Sequence, residues 1–147
     1  MEINARGLRA NIGELANLCH AKQPSIVIVI ETFLDPTVPD GDNSIAIPGY
    51  CLCCRKDRLG TTGGGIAVYC LEGIAVHHDP RGDPQHLELI WFTIALQSHK
   101  LLIGAVYRPP SANNDILEYL DVNSFPKMTE CGAKSILLGV CQILKMN

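Results

Sequence analysis

Several side chains in this 147-residue sequence have the chemistry that ligand binding or hydrolysis needs. Glu31 ends the apolar run "SIVIVI", which puts a carboxylate at the carboxyl end of a buried strand. Open α/β sheets tend to place their ligands at that edge. Asn4 lies near the end of a short opening strand. If the two strands pair in parallel through an intervening helix, an amide oxygen and a carboxylate converge at one edge. Mg²⁺ prefers such hard oxygen ligands and takes one or two carboxylates together with substrate phosphate. The plainer alternative is an acid that merely bounds a strand in solvent. Tyr107 and Arg108, in "VYRPPS", end another strand just before a pair of prolines. An arginine there offers a forked donor to phosphodiester oxygens. Packing of Tyr107 and solvation of Arg108 is the competing account.

Other clusters fail simple geometric tests. Cys51, Cys53 and Cys54 in "CLCC" lack the paired C-x₂₋₄-C separation of a structural zinc site, and read as small apolar fillers on a strand. His77, His78, Asp79, Asp83 and His86 are all possible metal ligands. The prolines and Gly82 among them mark a surface loop, which needs no ligand to exist. In "TTGGG" the glycines lead into a strand rather than a helix, and no lysine follows. A phosphate cradle needs helix amides facing the anion, so a turn or a close backbone approach is expected instead.

The elements that must position these residues can be read from periodicity. Leu8, Ile12, Leu15 and Leu18 recur near helical spacing, predicting an amphipathic helix from Arg9 to about Ala21, ended by Pro24. "SIVIVI" is a continuous β-branched run, as expected of a central strand covered on both faces. A long loop, "DPTVPDGDNSIAIPGY", precedes the strand "YCLCCRKDR". "GGGIAVYCLEGIAVHH" reads as two strands around a tight turn near Leu71 to Gly73. "HLELIWFTIAL" and "KLLIGAVYRPP" form a second hairpin through "QSHK"; "NNDILEYLDV" is a short helix with Asn113 or Asn114 as its cap. "SILLG" is the last strand. This order fits two packed sheets flanked by helices better than a doubly wound sheet, which needs a helix in nearly every crossover.

Composition bounds the class. With 47% hydrophobic and 18% charged residues the chain is globular. No apolar run approaches the length of a membrane span, and the start lacks a signal-peptide core. The seven cysteines then read as reduced intracellular thiols, so a cytoplasmic or nuclear location is expected. The formal charge of −3 gives no support to a protein that holds nucleic acid mainly by counterion release.

Taken in order, "NARGLRANIGELANL", "PSIVIVIETFLD", "IPGYCLCCRKDR", "GGGIAVY", "LELIWFTI", "LLIGAVYRPPS" and "SILLG" resemble the endonuclease domain of non-LTR, LINE-type retrotransposons. That domain belongs to the endonuclease/exonuclease/phosphatase superfamily. The resemblance implies a mixed α/β fold, the N-terminal part of a two-sheet αββα sandwich of the deoxyribonuclease I type. It assigns Asn4 and Glu31 to a divalent metal, usually Mg²⁺, and places Tyr107, with Arg108 beside it, at the scissile phosphate of DNA. It implies phosphodiester hydrolysis that nicks DNA to prime reverse transcription. The family then has "LLGDFN", where this sequence holds Val140 and Gln142 in place of the aspartate and asparagine. It continues with a serine-aspartate-histidine motif.

Residues 1–139 are therefore expected to be the N-terminal portion of such a domain, with 140–147 a divergent tail. On that reading the chain is truncated, catalytically inactive and prone to aggregate alone. A phosphatase of the same superfamily, or a non-catalytic remnant that binds DNA or another partner, is the alternative.

Overall fold

The computed structural model describes residues 1–60, 63–78, 83–97, 100–108, 115–116, 118–119 and 134–141, the last stretch as backbone. The chain divides into two units, Met1–Ile74 and Ala75–Asn147, and each contains one four-stranded sheet. This is the mixed α/β, two-sheet class expected from the sequence.

In the first unit the strand order is β1-β2-β4-β3. β1 (Glu2–Asn4) runs parallel to β2 (Ile26–Ile30), and helix α1 (Leu8–Lys22) makes the crossover between them. The helix forms where the apolar spacing predicts it, burying Leu8, Leu15 and Cys19. It ends at Gln23, whose N–H still donates to the Cys19 carbonyl at 2.8 Å while its left-handed backbone turns the chain out of the helix; Pro24 follows. The buried face of α1 packs with Val27, Val29, Ala67 and Tyr69 of the sheet. The alternate residues Ile28, Ile30, Ile66 and Val68 are buried too, so β2 and its antiparallel neighbour β4 (Ile66–Leu71) are covered on both faces. A continuous apolar run is what such a strand requires. β3 (Tyr50–Lys56) closes the sheet along the other side of β4, with a bulge between Leu52 and Cys54.

The long loop after β2 is not featureless. It holds a 3₁₀ turn at Asn43–Ile45, capped where the Asp42 carboxylate accepts from the Ser44 N–H at 2.7 Å. Its apolar residues Leu34, Val38, Ile45 and Ile47 join the core under α1. The Tyr69 hydroxyl ties this loop to β4 by donating to the Ile45 carbonyl at 2.8 Å.

In the second unit the order is β5-β6-β7-β8. β6 (Leu89–Ala95) and β7 (Lys100–Arg108) form the expected antiparallel hairpin, although Ser98 and His99 of its loop lie outside the described residues. β5 (Val76–His78) flanks β6. β8 (Lys134–Cys141) runs parallel to β7, and its pairing extends past Gly139 to Cys141. Asp115, Ile116, Glu118 and Tyr119 are helical, with Ile116 and Tyr119 packed on Leu89, Trp91, Leu102 and Val106. The proposed caps Asn113 and Asn114 lie outside the described residues.

One expectation fails. The strands on either side of Leu71–Gly73 are not a hairpin: β4 pairs with β2 and β3, whereas β5 pairs with β6 in the other sheet. The edges of β4 are already taken, since its two sides bond to β2 and β3, so the turn hands the chain from one sheet to the next.

Candidate functional site

The parallel register sets Asn4 opposite Ile30, so Glu31 follows one residue beyond the end of the same ladder. Backbone bonding continues past both strands: Ala5 N–H donates to the Ile30 carbonyl at 2.9 Å, Gly7 N–H to Glu31 at 2.8 Å and Leu8 N–H to Thr32 at 2.8 Å. Asn4 and Glu31 are thereby brought to one edge, as the sequence predicts. Asn4 is exposed and its Oδ1 accepts from the Arg6 N–H at 3.1 Å, an Asx-type turn that leaves the oxygen a second lone pair. Glu31 is half-buried.

The backbone here is strained. Arg6, Glu31 and Phe33 adopt φ of 47°, 54° and 55°. The other described non-glycine residue with positive φ, Gln23, is the helix cap. Left-handed non-glycine residues cost about 1–3 kcal/mol each and persist where their surroundings over-determine them. The surroundings do so. Thr32 N–H donates to the Gly65 carbonyl at 3.4 Å and Phe33 N–H to the Gly64 carbonyl at 3.0 Å.

The glycine run before β4 thus acts by close approach, in line with the sequence reading. A Cβ on Gly65 would lie 2.5 Å from the Thr32 hydroxyl oxygen, and its φ of +89° disfavours any side chain. Thr32 itself is buried.

Sequence reasoning missed Asn11. Its Nδ2 donates to the carbonyls of Ala5 and Gly7 at 2.8 and 3.1 Å, holding the loop that carries Asn4 and Arg6. The available signal was an asparagine in the first turns of a helix, where its propensity is poor and a bond to nearby backbone is its usual reason to be there. Asn4, Arg6, Asn11 and Glu14 also line a cavity of about 330 Å³ beside β1.

Asn4 and Glu31 offer a hard-oxygen pair suited to Mg²⁺, which keeps several of its waters and needs few protein ligands. Among the described residues no group of three or more His, Cys, Asp or Glu side chains is placed to hold a metal ion. Two oxygen donors fit the small protein share of a partly hydrated hard cation and are too few for an all-protein cage.

In the second unit Tyr107 and Arg108 end β7, with Tyr107 buried and Arg108 half-buried. The Tyr107 N–H donates to the Glu88 carbonyl at 2.9 Å. Along β8 their register partners are Val140 and Cys141; Gln142 lies outside the described residues.

The remaining clusters are structural. His78 Nε2 lies 2.7 Å from Asp83 Oδ2, while Asp83 Oδ1 accepts from the Trp91 N–H at 2.8 Å. Asp83 thus links His78 to the backbone of β6, and among the described residues no group of three or more His, Cys, Asp or Glu side chains gathers here; Asp79 is outside the described residues. Cys51, Cys53, Cys54, Cys19 and Cys70 are free thiols. Cys54 fills buried space as expected, but Cys51 is exposed; the bulge between Leu52 and Cys54 sets Cys54 rather than Cys53 opposite Val68.

No protein-family model matches the chain, and no curated protein matches it. Solved structures do. The endonuclease domain of TRAS1, a telomere-specific non-LTR retrotransposon, superposes with a TM-score of 0.68 at 14% identity, over 94% of this chain and 57% of that one. The AP endonuclease LMAP from Leishmania major gives 0.61 at 16% identity, over 94% and 53%. The 3′ phosphatase NExo from Neisseria, bound to product DNA hairpin, gives 0.57 at 21% identity, over 94% and 55%. This chain spans a little over half the length of each. Across these nucleases and phosphatases the shared property is architecture, and the chain has their two-sheet, DNA endonuclease-like fold.

Proposed function

We propose that this chain carries the cation-binding end of a DNA endonuclease-type site, that it associates with DNA, and that it hydrolyses DNA poorly or not at all. Asn4 and Glu31 would hold Mg²⁺, and Tyr107 and Arg108 would meet the phosphate. Bound there, a divalent cation supplies charge neutralisation and Lewis-acid polarisation at a phosphoryl oxygen. The observation that most supports this reading is the convergence of Asn4 and Glu31 at two parallel strand ends held by strained, doubly anchored backbone. On this reading the ancestral activity is nicking for target-primed reverse transcription, and the likeness in fold to the TRAS1 endonuclease domain supports it. DNA is then the partner, and the nucleus or cytoplasm the place of action.

The second reading, binding without cutting, is favoured by Val140. Its backbone lies opposite Tyr107 in the parallel β7–β8 pair, at the position where the resemblance calls for an aspartate. Valine neither accepts a proton nor orients a water. Loss of one positioned acid or base costs about 10²–10⁴ in rate. A phosphatase remains the third reading, because a 3′ phosphatase shares the fold.

A plasmid-nicking assay with Mg²⁺, run beside a DNA-binding titration, tests the proposal. The expected result is saturable binding with nicking no faster than that of Glu31→Ala. Nicking that Glu31→Ala abolishes would show the chain to be an active enzyme, and phosphate release from a 3′-phosphorylated oligonucleotide would favour the phosphatase.

A further inference from the structure

The edge that carries Asn4 and Glu31 also carries an aromatic ring that neither the core nor cation binding explains. Phe33, two residues past Glu31, is 48% exposed. Single exposed apolar side chains are ordinary on protein surfaces; the way this one is held is not. Its backbone is left-handed, at φ 55°, a conformation unusual for a bulky residue. It is fixed by its own N–H to Gly64 and by the buried Thr32 before it. The ring lies between two glycines of positive φ: a Cβ on Gly7 would meet Cδ2 at 3.4 Å and one on Gly63 would meet Cε1, on the opposite side of the ring, at 3.5 Å. Both are ordinary contact distances. The ring is thus bracketed by bare backbone on two opposite sides, while nearly half of the residue stays exposed.

Next to Gly7 stands Arg6, exposed and itself left-handed. The neighbourhood therefore combines a rigid aromatic face, a cation and the oxygen donors Asn4 and Glu31.

We infer that Phe33 is a nucleobase platform, whose outward face stacks on an unpaired base of the DNA strand held at the Asn4–Glu31 edge. The inference rests on the proposed DNA association and deepens it by naming how the strand is gripped. An aromatic face accepts any base, because every base has a π-face. The contact is therefore tolerant of sequence and selective for an unstacked nucleotide.

The test uses the full chain and a single-stranded oligonucleotide carrying 5-iododeoxyuridine, with affinity read by fluorescence anisotropy and the photo-crosslink mapped by mass spectrometry. The wild-type chain should crosslink at Phe33. Phe33→Leu, which keeps apolar bulk, should lose the crosslink and bind about tenfold more weakly, while Phe33→Trp should restore affinity. Equal binding by Phe33→Leu, a crosslink that maps elsewhere, or no binding by the wild type overturns the inference. Equal binding by Phe33→Leu would make the ring an anchor for a protein partner instead. Glu31→Gln separates this inference from the functional reading: it should remove the Mg²⁺-dependent part of binding and leave the Phe33 crosslink. If Glu31→Gln behaves so while Phe33→Leu changes nothing, the platform fails and the cation site stands.

Discussion

Each sheet contains one parallel pair of strands, and the carboxyl ends of those pairs differ in what they present. In the first unit β1 and β2 end in Asn4 and Glu31, both oxygen donors, with the backbone beyond them bonded across to Ala5, Gly7 and Leu8. In the second, β7 ends in Tyr107 and Arg108, but the strand beside it offers Val140 and Cys141. The same element of architecture thus presents two chemistries: one end carries an amide and a carboxylate, and the other sets Tyr107 and Arg108 in register with a valine and a cysteine. Fold and chemistry are separable here because strand pairing is a backbone property that a Val satisfies as well as an Asp.

The largest effect should come from the cores that hold each end. Leu8 and Leu89 are both fully buried, one in each unit, so Leu8→Ala and Leu89→Ala should each cost about 2–5 kcal/mol in urea unfolding. A negligible cost at Leu89 would mean that the second unit is not a packed core. Next comes Gly65→Ala, which drives a Cβ to 2.5 Å from the Thr32 hydroxyl at a φ of +89°. A loss of about 2–4 kcal/mol is expected from combined strain and overpacking. If the cost were only a few tenths, the glycine run would not be the clamp behind Glu31.

A smaller effect isolates the loop that carries Asn4. Asn11→Ala removes two bonds to the Ala5 and Gly7 carbonyls and should cost about 1–2 kcal/mol. It should also weaken divalent-cation binding, whereas a purely structural role would leave binding in the folded fraction intact.

The smallest effect is one of pH. Burial holds the Tyr69 hydroxyl well above its ordinary value of 10.0. The unfolded chain releases that proton near pH 10 while the fold retains it, so stability is fully present below pH 10 and falls as pH rises beyond. Tyr69→Phe should flatten this alkaline slope while costing about 1 kcal/mol at neutral pH through the lost bond to the Ile45 carbonyl. An unchanged slope would place the alkaline sensitivity elsewhere.

What was legible in the sequence follows the reach of each signal. The repeat of Leu8, Ile12, Leu15 and Leu18 set α1 within a residue or so of its observed ends, because helical periodicity is local. The unbroken "IVIVI" run marked a strand covered on both faces for the same reason. Strand partnership is not local. β4 and β5 look like a hairpin in sequence, yet they lie in different sheets, since alternation identifies a strand without saying what it pairs with. That positions 4 and 31 fall at one edge was legible because a parallel crossover aligns the ends of the strands it joins. Thr32 and Gly65 were hidden because their contact joins segments far apart in the chain; Asn11 acts locally, on Ala5 and Gly7, through a side-chain bond that apolar periodicity does not register.

The central claim is that Asn4 and Glu31 form one cation site. A Mn²⁺ titration of the full chain, followed by electron paramagnetic resonance with Mg²⁺ as competitor, tests it most directly. The account predicts one Mg²⁺-displaceable Mn²⁺ site, weakened at least tenfold in Glu31→Gln at unchanged fold; equal Mn²⁺ binding by wild type and Glu31→Gln would contradict it.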